Sequence, residues 1–72
     1  MEINKTTLQL FLRHVIVSFK EDSASYKTYG QSLIGKLSGR NWGKDSVISI
    51  TIIKENQEFH VPAEDIESME AL

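Results

Sequence analysis

The tightest constraint on this chain is that its 72 residues contain no cysteine. A domain this small buries only about 60% of the surface its unfolded chain exposes, so small domains commonly add a disulfide, a structural metal or a partner. Without thiols, disulfides and thiolate metal sites are excluded, which fits a reducing, cytoplasmic setting. Self-association becomes the simplest remaining support, and a homo-oligomer is expected. The length predicts one domain over residues 1–72. Hydrophobic content of 40%, charged content of 25% and a net charge of -2 describe a folded domain, neither disordered nor polyanion-seeking as a whole.

The longest apolar stretch, Leu8 to Phe19, is interrupted by Gln9, Arg13, His14 and Ser18. It falls far short of the ~20 apolar residues a membrane span needs. Glu2 sits where a cationic leader would be wanted and no small-residue cleavage site follows, so no signal peptide is expected either.

Two patterns overlap in that stretch. Leu8, Phe11, Leu12, Val15, Ile16 and Phe19 have the spacing of one buried helical stripe, with Thr6 or Thr7 as the cap. Val15-Ile16-Val17 is a β-branched triplet, however, and Val15, Val17 and Phe19 alternate with polar residues as a strand would. The favoured reading is a helix over Thr6 to Leu12 and a strand over His14 to Lys20; the alternative is one helix running to Glu21. Glu21 to Ser25 reads as a turn. Gln31 to Ser38 reads as a strand with a bend or bulge at Gly35, and Gly39 to Asp45 as a loop.

Val47 to Lys54 is the strongest strand, with Ile48, Ile50 and Ile52 on one side and Ser49 and Thr51 on the other. Glu55-Asn56-Gln57 then turns the chain into a strand over Glu58 to Val61. Pro62-Ala63-Glu64-Asp65 punctuates it, and Ile66 and Met69 pack from a closing strand or from a helical turn. These elements predict a mainly β fold with an N-terminal α-helix, a small antiparallel barrel of Sm-like or SH3-like form. The alternative is α+β, one long helix packed on a three-stranded antiparallel sheet.

The order of elements is similar to a known group. The helix at Leu8-Gln9-Leu10-Phe11-Leu12, the strand His14 to Phe19, the glycine-centred Leu33-Ile34-Gly35-Lys36-Leu37, the isoleucine-rich strand and the ending Phe59 to Met69 resemble the Sm-like small barrels. That group includes RNA chaperones of the Hfq type and Rof-type inhibitors of the termination factor Rho; the ending also resembles YolD-like proteins. The resemblance spans nearly the whole chain and rests on pattern. It implies a small barrel that binds RNA or a protein target. The chain departs from the RNA chaperones where they carry a Tyr-Lys-His run, because Phe59-His60-Val61 stands there, so no RNA-contacting residue carries over.

Charge is unevenly distributed. From Tyr26 to Lys44 the charged residues are Lys27, Lys36, Arg40 and Lys44, a sum of +4. From Glu55 to Leu72 the acids Glu55, Glu58, Glu64, Asp65, Glu67 and Glu70, with no cation, sum to -6. The basic segment also holds Tyr26, Tyr29 and Trp42. Aromatic faces stack bases while cations neutralise phosphates, but tryptophan, tyrosine and arginine also dominate protein interfaces. Tyr26, Tyr29, Lys36, Arg40, Trp42 and Lys44 are therefore the candidate binding residues. Trp42, between Asn41 and Gly43, is either a binding anchor or a lid folded over the core.

Glu64, Asp65, Glu67 and Glu70 form a second candidate, an acidic docking face that steers a basic partner. They lack the ligand spacing and glycine of a calcium loop. Two distant histidines make no zinc spacing; His60 is expected on a strand surface beside Glu58, and His14 partly buried. The glycines match no phosphate loop. No catalytic residue, metal or cofactor is assigned. The expected function is a non-enzymatic protein-interaction module, a small regulator or inhibitor of the kind a phage or mobile element carries. The alternative is an RNA or single-stranded nucleic-acid binder.

Overall fold

The computed structural model describes every residue from Met1 to Leu72. Helix α1 (Ile3–Gln9) leads into strand β1 (His14–Phe19) and helix α2 (Ala24–Tyr29). Strands β2 (Ser32–Trp42), β3 (Val47–Lys54) and β4 (Gln57–Pro62) follow, then a 3-10 turn (Ala63–Asp65) and strand β5 (Ile66–Ala71). All five strands form one antiparallel sheet in the order β4-β3-β2-β1-β5. The mainly β class and the N-terminal helix are as expected. The sheet is open: β4 and β5 are its two edges and do not pair. No helix is long and apolar enough to cross a membrane.

The β-branched triplet decides the ambiguous stretch. Val15, Val17 and Phe19 point into the core while His14 is exposed and Ile16 and Ser18 are half-covered on the other face. The single long helix is thereby overturned, as is the partly buried His14. Helix α1 starts three residues earlier than Thr6, because the Glu2 carboxylate accepts from the N–H groups of Asn4 and Lys5, both at 3.1 Å. That caps the helix as neither Thr6 nor Thr7 does. It ends early too. Leu12 has φ 66° and its N–H donates to the Leu37 carbonyl at 2.7 Å, drawing the chain into the sheet. The expected buried stripe fails at its first three members: Leu8 is 64% exposed, and Phe11 and Leu12 also lie at the surface.

Strand β2 is longer than expected and bent. Its first half pairs with β1 and its second with β3, and Lys36 faces both His14 and Ile53. At Gly35 an added Cβ would stand 2.5 Å from the Ile53 carbonyl oxygen, so only glycine lets β3 approach this closely. The register shifts fall instead between Leu37 and Gly39 and between Asn41 and Trp42. The expected loop over Gly39 to Asp45 is strand as far as Trp42, and the reversal is closed by Gly43 N–H donating to the Ser46 carbonyl at 2.8 Å.

Strand β3 keeps its expected bounds, with Ile50 and Ile52 in the core, but Ile48 is 57% exposed and Thr51 is buried. The shift beside Trp42 takes Ile48 off the core side. Glu55 and Asn56, at φ 53° and 64°, make a two-residue turn into β4, the mirror-image geometry that suits twisted hairpins. Both readings of the ending hold in part: a single 3-10 turn follows Pro62, and Ile66 and Met69 then pack from strand β5.

The stretch Glu21 to Ser25, expected as a turn, leads directly into α2, which starts at Ala24. Ser23 caps it, its hydroxyl accepting from Tyr26 N–H at 3.1 Å. The core gathers Val15, Val17, Phe19, Leu33, Leu37, Val47, Ile50, Ile52, Val61, Ile66 and Met69 between the sheet and its flanking helices. No buried side-chain donor or acceptor lacks a partner.

Candidate functional site

The end of the β2–β3 hairpin is where exposed apolar side chains meet a fixed cation. Trp42 is 53% exposed, so the lid reading is corrected. It is also held in place. The Arg40 guanidinium carbon lies 5.3 Å from the Trp42 ring centroid, within the range of a cation–π contact. Arg40 is itself anchored: its Nε donates to Thr7 Oγ1 at 2.9 Å and its Nη2 to the Asn4 carbonyl at 3.0 Å.

Helix α1 supplies the anchors because its sequence puts small polar residues on the face that meets β2. Thr7 is fully buried, and its hydroxyl donates to the Ile3 carbonyl at 2.7 Å while accepting from Arg40. Asn4 Oδ1 accepts from Val47 N–H at 2.8 Å, tying the start of β3 to the same helix. Ile48 packs against Gly43, where an added Cβ would stand 2.6 Å from its Cγ2. Beside it Val47, Pro62, Ala63 and Glu64 line a shallow groove of about 360 Å³. The arrangement is a preorganised aromatic and aliphatic knob with exposed Lys44 at its tip.

The other members of the basic candidate set lie elsewhere. Tyr26 and Tyr29 sit on α2 and pack against the core. The Tyr29 ring is 5.8 Å from that of Phe19 and 5.7 Å from that of Phe59. Lys36 stands six residues before Trp42, up to about 20 Å back along an extended strand, on the outer face beside Ile53. Arg40, Trp42 and Lys44 therefore share one end of the hairpin, and the other three do not join them. Sequence reasoning missed Ile48, whose alternation with Ile50 and Ile52 placed it in the core. It also missed Asn4 and Thr7, and a single sequence gives no signal for such long-range anchors.

The acidic set divides as well. Glu64, Glu67 and Glu70 are exposed, but Asp65 is only 8% exposed and leaves the proposed docking face. Its Oδ2 accepts from Ser25 Oγ at 2.6 Å and from Ser25 N–H at 3.2 Å, joining the 3-10 turn to the first turn of α2. His60 lies on the surface of β4 as expected, with Nδ1 3.1 Å from Thr51 Oγ1 and Nε2 4.0 Å from Glu58 Oε2. No group of His, Cys, Asp and Glu side chains is placed to hold a metal ion. Comparison with known proteins finds no family model, no curated relative and no solved structure that matches this chain.

Proposed function

We propose that this chain is a non-enzymatic interaction module, a small regulator or inhibitor that docks a protein partner through the end of its β2–β3 hairpin. The observation that carries the reading is Trp42, half exposed yet fixed against an Arg40 that is itself doubly hydrogen-bonded to α1. A large aromatic presented rigidly at the surface loses little entropy on binding and is the residue type that anchors interfaces. Ile48 and the groove beside Pro62 extend its apolar surface.

A small Sm-like barrel is the fold reading that accompanies this. The N-terminal helix, the bent β2 shared between β1 and β3, and the strand order β4-β3-β2-β1-β5 support it. A protein partner is favoured over nucleic acid because Tyr26 and Tyr29 pack on the core, away from Trp42, and leave no continuous stacking track. Self-association, the other expectation for an unstapled small domain, has β4 and β5 as its open edges. β1 is not available, since it lies between β2 and β5.

The test is capture from the native host with the wild-type chain and with Trp42→Ala, each with and without nuclease. A protein that binds the wild-type chain regardless of nuclease and is lost with Trp42→Ala supports the reading. Nuclease-sensitive capture would move the chain to the nucleic-acid class.

A further inference from the structure

A second surface lies on the opposite side of the sheet from the β4 edge, along β5. In β1 the Phe19 N–H points toward β2, donating to the Gln31 carbonyl at 3.0 Å, whereas the His14 carbonyl accepts from Leu72 N–H at 3.1 Å. Antiparallel ladders alternate, so even-numbered β1 residues bond β5, and their partners Ser68 and Glu70 direct both backbone groups inward. The N–H and C=O groups of Met69 and Ala71 consequently face away from the sheet with no strand beyond them. Glu67 interrupts the register, since Ser18 pairs with Ser68 and Phe19 with Ile66.

At Glu67 the edge opens into a cleft of about 540 Å³. Glu21, Asp22 and Glu67 line it against a single cation, Lys20, and Tyr26 forms part of the wall. Free backbone groups on an edge are a template for an extended peptide. Three acids beside an aromatic ring suit the guanidinium or ammonium of that peptide's side chain. We infer that the β5 edge and its adjoining cleft bind an extended, basic segment of a partner protein by strand addition. A lysine or arginine of that segment sits among Glu21, Asp22 and Glu67, and further cations on the same strand face Glu70.

A second copy of this chain fits the edge less well. The only other open edge, β4, carries exposed Glu58 and ends at Pro62. The outward backbone positions of β4 are Glu58, His60 and Pro62; Pro62 has no N–H to donate, and Glu58 adds a carboxylate to an edge that already carries Glu67 and Glu70. The inference does not rest on Trp42, which lies at the end of the β2–β3 hairpin.

The experiment uses the full chain and an eight-residue peptide alternating arginine and valine, with a glutamate–valine peptide as control. The arginine peptide should bind with an affinity that falls as salt rises, and should slow amide exchange at Met69 and Ala71 while leaving Ser68 and Glu70 unchanged. The double variant Glu67→Lys, Glu70→Lys should weaken it at least tenfold. Ala71→Pro, which removes one outward N–H and no bond to β1, should weaken it several-fold, and Trp42→Ala should leave it unchanged. The inference is overturned if the arginine peptide does not bind, if the glutamate peptide binds as well, or if new protection appears at the outward amides of Glu58 and His60 on β4. It is equally overturned if the charge-reversed variant, folded by its melting curve, binds undiminished.

Discussion

Both helices are tied to the sheet by side-chain hydrogen bonds, and the two ties differ in what they leave exposed. Asp65 and Ser25, which join α2 to the 3-10 turn, are both buried. Nothing projects from that joint; it closes a seam. Arg40 with Thr7 and Asn4, which joins α1 to β2, is only half-buried, and its outer side carries Trp42 into solvent. Similar chemistry thus serves two ends, one stabilising the domain and one presenting a side chain. A candidate site is recognised by what its polar anchor leaves uncovered.

The largest expected effect tests the closed seam. Asp65→Ala removes the acceptor for two Ser25 groups and leaves them buried without a partner, so urea unfolding should show a loss of about 3 kcal/mol. Arg40→Met should cost less, about 1.5 kcal/mol, because Arg40 and Asn4 are only half-buried and the buried Thr7 keeps its bond to the Ile3 carbonyl. If Arg40→Met proves costlier than Asp65→Ala, the distinction between the two ties collapses. A double-mutant cycle between Arg40 and Trp42 should give a coupling of ~0.5–1 kcal/mol, the range for an exposed cation–π pair. A coupling indistinguishable from zero would mean that the arginine does not hold the ring.

Trp42→Ala should lower stability by no more than about 1 kcal/mol, little beyond the coupling it removes, because the ring is half exposed. A sharp fall in melting temperature instead would make Trp42 a core residue and return it to the closed kind of contact.

Much of the sheet was legible because strands advertise themselves locally. Val15, Val17 and Phe19 alternate, Val47 to Lys54 is β-branched and bounded by turn residues, and the hairpin at Glu55 and Asn56 follows from its neighbours. What misled was information that lives at a distance. Leu8 and Phe11 have helical spacing, yet α1 turns Ile3, Thr7 and Leu10 toward the sheet. Ile48 alternates with two core isoleucines, but it is the extra residue of a bulge in its own strand, unpaired between the pairs Asn41 with Ser49 and Trp42 with Val47, and turns outward. Charge sums placed Asp65 in a surface block, whereas a serine 40 residues away makes its burial tolerable. Of the candidate site, Trp42 and Arg40 were found by residue type; their anchors, Asn4 and Thr7, were not.

The strand order also sets a timetable. β2, β3 and β4 follow one another through short reversals and can pair through local contacts. β1, by contrast, fills one flank with β2 and must wait for Ile66 to Ala71 before its other flank is covered. Until β5 docks, β1 carries Val15, Val17 and Phe19 beside an unfilled row of backbone groups, the kind of edge that recruits foreign strands. The segment most open to mispairing before β5 docks is therefore one that the finished sheet covers on both flanks.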